Sequence, residues 1–470
     1  MSSGQSDQTS GTRAHEAGGP TYFTSLSVEN VRCFGPEQSL DLCDSEGHHA
    51  PWTVILGENG TGKTTLLQCL ASMELAWETV PASDVSEGSE GEDVELAPVI
   101  FKTSSSDDRL YSLVKGWYQD SLNLGGRNWK LTSGYESLED SEVPGHLTVT
   151  GDGLGSADSD LAGNGKPLPC FGYGAIRVVG EPRLGDQERP GPTAGLFSEE
   201  VKLLNPEEWL LQLDYSSKQT GPVQEWSRRQ FDKVRVMLVG DTTDGGLLPD
   251  VDDLRVTPPS EGRKYSRTDF HTPYGWVPFD GLGLGYRTMV AWVVDLASRM
   301  FDAYPNSEDP ISEPAAVLVD EVDLHLHPIW ERSIMEYLTK HFPRVQFVVT
   351  AHSPLVVQSA RLANIVVLRR KVNDQGDDYV VIESDPKTIS NWRVDQVLTS
   401  LFGLPTARPK ELEHLIVERR KILSQPTLTP GDEERIRAIN DKISELPTGE
   451  TSEDVEAMEV IRRAAAILER

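Results

Sequence analysis

Residues 57–64 read Gly57-Glu58-Asn59-Gly60-Thr61-Gly62-Lys63-Thr64, the spacing G-x-x-x-x-G-K-[ST] that wraps phosphate in backbone amides. The glycines let successive N–H groups turn inward, Lys63 supplies a cation for the terminal phosphates, and the Thr64 hydroxyl is a ligand for Mg²⁺. Thr65 carries the loop into a helix whose N-terminus also favours anions. Far along the chain, Ala315-Ala316-Val317-Leu318-Val319 is an apolar run that ends in Asp320 and Glu321. An acid at that position, Asp320, reaches a phosphate-bound metal ion, and the adjacent Glu321 can take a proton from an attacking water. A third apolar run, 347–350, is followed by His352, whose ring can hydrogen-bond a γ-phosphate. Together these residues point to ATP as substrate, with Mg²⁺ as its metal.

Such residues need strands that end together and helices that start there. The run 52–56 reads as an apolar strand feeding the glycine loop, and 65–77 as the helix behind it, with Leu66, Leu67, Leu70 and Leu75 on one broad apolar face. Strand-like runs at 23–31 and 38–43 flank a Gly-Pro turn. Further strands are expected at 170–179, 231–239, 315–319 and 346–350, and helices at 206–214, 223–229, 286–303 and 328–341. Strands alternating with helices imply a largely parallel sheet. The pair 365–370 and 379–383 reads as a hairpin, with Asp374, Asp377 and Asp378 in its turn facing solvent. From 394 onward the pattern is helical, at 394–402, 409–423, 431–446 and 452–469. Residues 1–20 have too little apolar surface to order, and 78–98 and 150–166 are acidic, Gly- and Ser-rich stretches that read as flexible insertions.

The run Asp320-Glu-Val-Asp-Leu-His-Leu-His-Pro328, followed by Thr350-Ala-His-Ser-Pro354, resembles the Walker B, D-loop and switch-histidine segments of the RecF/OLD-like branch of ABC ATPases, relatives of the SMC proteins. This resemblance implies an α/β, ABC-type P-loop ATPase with a mostly parallel sheet, an antiparallel β subdomain, a helical insertion and a helical C-terminal tail. The domains would be a 21–390 ATPase, with a helical lid and signature region at about 180–285, and a helical region at 391–470. Asp323, His325 and His327 have the look of metal ligands, but in that family the segment is a D-loop at a dimer interface. Leu282-Gly283-Leu284-Gly285-Tyr286-Arg287 is similar to the family's signature loop, which caps the γ-phosphate of the opposite subunit. It departs at Gly283, where the family carries serine, so weak hydrolysis is implied. Arg32 matches an arginine that lies near the nucleotide in the family. The Toprim nuclease residues of OLD proteins have no counterpart, which implies no nuclease activity of its own.

Residues 171–177, 205–211 and the helical tail are similar to the ATPase subunits of Septu- and retron-type defence operons. That likeness implies an oligomer, a dimer of nucleotide-binding domains or higher, working with a separate effector such as an HNH nuclease. The chain holds 74 acidic against 44 basic residues, a net charge of -30, which opposes direct binding to a phosphate backbone. Contact with nucleic acid would then run only through the complex, and a RecF-like DNA-repair ATPase is the alternative. The four cysteines show no CxxC spacing, and no apolar stretch approaches the about 20 residues of a membrane span. A cytoplasmic, membrane-free protein is expected.

Overall fold

The computed structural model describes residues 20–73, 168–181, 189–241, 245–360, 363–373, 376, 378–384, 392–404, 410–425 and 429–445, and the backbones of five further strands. The chain divides into two compact units, Met1–Val394 and Asp395–Arg470.

In the first unit β1 (Thr21–Glu29) and β2 (Gln38–Asp41) form the expected antiparallel pair, and β3 (Trp52–Gly57) runs into α1 (Lys63–Ser72). Strands β4 (Trp77–Glu78) and β5 (Val99–Ile100) pair with each other, while β6 (Trp129–Ser137), β7 (Gly145–Gly151) and β8 (Ser156–Ser159) extend the β1 sheet in the order β2-β1-β6-β7-β8. Backbone strand thus occupies 150–151 and 156–159 of the stretch expected to be a flexible insertion, the first where Thr148, Val149 and Thr150 favour extended chain. The rest of 150–166, residues 79–98 and residues 1–19 lie outside the described residues.

The main sheet adds β9 (Cys170–Tyr173), β13 (Ala315–Val319), β14 (Val345–Thr350), β15 (Asn364–Val372) and β16 (Asp378–Ser384), in the order β16-β15-β3-β14-β13-β9. Every pairing in it is parallel except β15 with β16, so the fold is α/β with a mostly parallel sheet and an antiparallel subdomain beside it. Every residue of β3, β13 and β14 is buried, as strands covered on both faces require, and this explains their mostly apolar runs, interrupted at Thr53 and Gln346. The register sets Val319 beside Val349 and Thr350 beside Ile55, so the three strands end abreast. Ligands of open α/β sheets bind at that carboxyl edge.

The insertion contributes α2 (Pro206–Lys218), α3 (Gln224–Val239) and the antiparallel strands β10 (Asp253–Thr257), β11 (Arg267–Thr272) and β12 (Gly275–Pro278). Here the reading of 231–239 as a strand is corrected: those residues complete α3. Ser227, Gln230, Val234, Met237 and Leu238 are its buried face, a spacing of three and four, and this tertiary burial outweighs the β-branched content.

Helix α4 (Leu284–Ala303) follows. The single helix expected over 328–341 is two, α5 (Pro328–Glu331) and α6 (Ile334–His341), with Ser333 as the N-cap of the second, its hydroxyl bonding the carbonyls of Ile329 and Trp330. Helix α7 (Pro354–Ser359) starts after β14, and α8 (Val394–Ser400) spans the boundary of the two units.

The second unit is a pair of helices, α9 (Lys410–Leu423) and α10 (Pro430–Glu445), held by Leu415, Ile422 and Ile439 and by a bidentate Arg435–Glu418 ion pair at 2.7 and 2.9 Å. The helix expected at 452–469 lies outside the described residues. Among the described residues no helix is long and apolar enough to cross a membrane.

Candidate functional site

The loop between β3 and α1 turns through Gly62, the N-cap of α1, at a φ of +87° that L side chains rarely adopt. A methyl group there would also lie 2.5 Å from Cys33 Sγ and 2.8 Å from the Phe34 ring. Only glycine therefore fits, and the loop is pressed against the turn that follows β1. No acidic residue lies in the first turn of α1, so its amides and dipole favour an anion there. Lys63 is buried and its Nζ donates to the carbonyls of Gly57 (2.9 Å) and Glu58 (3.0 Å), which lays the ammonium along the loop. Burial pushes its pKa down, against the opposing pull of Asp320, Glu321 and Asp323. The Thr61 hydroxyl donates to Glu58 O at 2.8 Å, and Arg370 of β15 donates from Nη2 to Asn59 O at 2.8 Å.

The two ends of the sequence motif meet at Asp320. Its Oδ2 accepts from the Thr64 hydroxyl at 2.7 Å and its Oδ1 from the Thr350 hydroxyl at 2.6 Å. These are residues 256 and 30 positions apart in sequence, joined because β3, β14 and β13 are neighbours in register. A carboxylate and a hydroxyl are hard oxygen donors of the kind Mg²⁺ takes, so Thr64 and Asp320 fit that ion.

Glu321 has a φ of +50°, uncommon for a side chain of its size and costing on the order of 1–3 kcal/mol unless its surroundings enforce it. Its N–H donates to Thr350 Oγ1 at 2.7 Å. The carboxylate is about one-third exposed, and His352 Nε2 lies 3.9 Å from Glu321 Oε1. The loop that carries His352 is held from the segment after Glu321: Asp323 Oδ2 accepts from the amides of His352, at 2.7 Å, and Ser353. Ser353 then caps α7 through Leu355 N–H and donates to Glu331.

Among the expected site residues, the structure thus gathers 57–65, Asp320, Glu321 and His352 at one sheet edge. Arg32, at a φ of +46°, reaches α1 rather than the loop, donating from Nη1 to Thr65 Oγ1 (3.1 Å) and Gln68 Oε1 (2.9 Å). Gly283 and Gly285 open α4, and among the described residues no hydrogen bond joins them to the phosphate loop. Gly285 packs on the 323–327 segment instead, where an added methyl group would lie 2.4 Å from His325 O. His327 Nδ1 accepts from Ile329 N–H as the N-cap of α5.

Sequence reasoning missed Thr350, Asp323 as an anchor, Arg370 and Arg177. Thr350 was within reach, since the expected parallel sheet sets the last residue of one strand beside the acid that ends the next. Arg177 sits on the loop after β9, buried, with Nε donating to Gly174 O and Nη2 to the carbonyls of Asp320 and Glu321. Burial brings its pKa down to about 10, with Asp320, Asp323 and Glu321 acting the other way, so it stays charged at neutral pH.

Two family models match the chain: "AAA domain" over residues 25–115, which holds the phosphate loop, and "AAA domain, putative AbiEii toxin, Type IV TA system" over residues 198–358, which holds Asp320 to His352. The "Septu protein PtuA" of Bacillus mycoides is 23% identical over 86% of this chain and 48% of its own length. The "Retron Ec83 probable ATPase" of Escherichia coli is 34% identical over 30% of this chain and 24% of its own. The chain therefore spans about half the length of the first and about a quarter of the second. Among solved structures, an Smc head bound to the C-winged helix domain of ScpA aligns over 77% of this chain and 98% of its own, at 13% identity and a TM-score of 0.42. The chain is thus similar to Septu PtuA proteins and to probable ATPases of retrons.

Proposed function

We propose that this chain binds and hydrolyses ATP as a sensor and scaffold subunit of an anti-phage defence complex, controlling a separate effector such as an HNH nuclease. The observation that carries the ATPase reading is the shared carboxylate of Asp320, which ties the phosphate-loop hydroxyl of Thr64 to Thr350 and, through it, to Glu321. The defence reading is supported by the names of its relatives, and the RecF-like repair alternative is weakened by the net charge of -30.

In this reading the amides of 60–65 bind the phosphates and Lys63 neutralises the terminal pair. Mg²⁺, when bound, would draw charge off the phosphate oxygens. Thr64 and Asp320 hold that ion, Glu321 takes the proton of the attacking water, and His352 hydrogen-bonds the γ-phosphate. A second copy would bring Gly283 and Gly285 to this site, with backbone amides where the family has a serine hydroxyl.

Lys63→Ala tests the phosphate reading directly. Calorimetry on folded protein should show loss of ATP binding with an unchanged melting profile; undiminished affinity would refute it. The effector reading is tested by co-expression with the adjacent gene: co-purification and phage protection that require Glu321 support it, whereas direct, salt-dependent DNA binding by the isolated chain favours a repair ATPase.

A further inference from the structure

The carboxylate of Glu321 can act only if its main chain aims it. Two peptide planes flank its Cα, and rotation between them is all the freedom the backbone has there. All four polar groups of those planes are occupied. The carbonyls of Asp320 and Glu321 both accept from Arg177 Nη2, the second at 2.8 Å. On the amide side, Glu321 N–H donates to the Thr350 hydroxyl at 2.7 Å and Val322 N–H to the Thr350 carbonyl at 2.9 Å. One arginine reaches both carbonyls, the second of which also accepts from Leu324 N–H at 3.1 Å, one threonine holds both amides, and Glu321 sits between them at a φ of +50°.

Arg177 is an unusual group to spend on carbonyls. It is buried, its partners are backbone oxygens, its Nη1 has no hydrogen-bond partner among the described residues, and Trp292, itself fully buried, lies with its ring centre 5.8 Å from the guanidinium carbon. A buried cation costs heavily unless something else is gained. The nearby carboxylates of Asp320, Asp323 and Glu321 supply field rather than contact.

We propose that Arg177 is a positioning residue that locks the Asp320–Glu321 turn, so that the Glu321 carboxylate faces the phosphate loop. This rests on the reading of Glu321 as the proton acceptor. It assigns a role to the loop after β9, which the phosphate-loop and Walker B motifs leave without one. It also predicts a particular pattern: loss of Arg177 leaves ATP binding intact and impairs turnover, because the loop that holds phosphate is built separately.

Arg177→Met and Arg177→Lys separate the possibilities, since lysine restores one bridging donor and methionine none. For each, kcat and KM for Mg-ATP and amide hydrogen exchange across residues 318–324 are measured. For Arg177→Met, kcat should fall on the order of 10²-fold, the loss expected from a misaimed group, with KM changed by less than about threefold. The Glu321 and Val322 amides should exchange faster while those of β3 and β14 keep their protection. Arg177→Lys should recover about tenfold of the lost kcat. Wild-type kcat or unaltered exchange at 321–322 in the methionine variant would overturn the proposal. So would loss of protection throughout β9 and β13, which marks a packing role. Glu321→Gln serves as control: if it keeps full turnover, the proton-acceptor reading fails, and the exchange data alone decide whether Arg177 locks the turn.

Discussion

At Lys63 burial opposes the charge that phosphate needs. Its folded-state pKa lies below the ordinary 10.5, so between the two values the unfolded chain holds more protons. Stability of the nucleotide-free protein therefore rises with pH through that window and levels off above 10.5, while phosphate binding weakens as the ammonium is lost. ATP affinity titrated upward from neutral pH should fall with a midpoint below 10.5 in wild type, and Lys63→Arg should remove that midpoint. Thr350 poses a different test. Thr350→Val leaves Asp320 Oδ1 and Glu321 N–H without their shared partner, which should cost about 1–3 kcal/mol in urea unfolding with unchanged m-value, whereas Thr350→Ser should cost little. Lys63, Thr64, Asp320 and Glu321 were legible in the sequence because their spacing is tied to one chemistry. Thr350 was within reach only through the expected parallel sheet, and Arg177 was not legible, because it acts on backbone carbonyls whose proximity exists only once β9 and β13 are side by side.

Elements were readable where burial leaves a one-sided or two-sided record. β3, β13 and β14 lie buried on both faces and show as mostly apolar runs. Helix α3 misled because Val234, Val236 and Val239 favour extended chain by residue type, and only its packing against the rest of the insertion selects the helical face. The start of α4 yields a paired prediction. Gly283 is an N-cap without a side-chain hydrogen bond, and a methyl group there would meet nothing closer than 3.8 Å. Gly283→Ser should therefore fold normally, gain a few tenths of a kcal/mol by capping, and raise turnover. Two residues on, Gly285→Ala drives a methyl group into His325 O at 2.4 Å and should cost about 1–3 kcal/mol in thermal unfolding. Equal melting temperatures for the two variants would contradict this account of the helix start.

For the whole molecule, the sequence foretold a mostly parallel sheet with helices, and the structure has one. Charge separated the readings of function without naming a partner, since a surplus of 74 acids over 44 bases speaks only against an independent grip on DNA. The small core of α9 and α10 would bury too little apolar surface to fold stably alone. A chain ending at 394 should therefore keep ATP affinity if the nucleotide site is built wholly within the first unit, and co-purification with the neighbouring gene product then reports whether the second unit docks it. The most direct test of the central claim is Mg-ATP hydrolysis by wild type and Glu321→Gln under single-turnover conditions, with bound ATP measured in parallel. Bound ATP should be undiminished in Glu321→Gln and its hydrolysis lower by about 10²-fold or more; equal hydrolysis rates in the two proteins would contradict the assignment of this sheet edge as the ATPase centre.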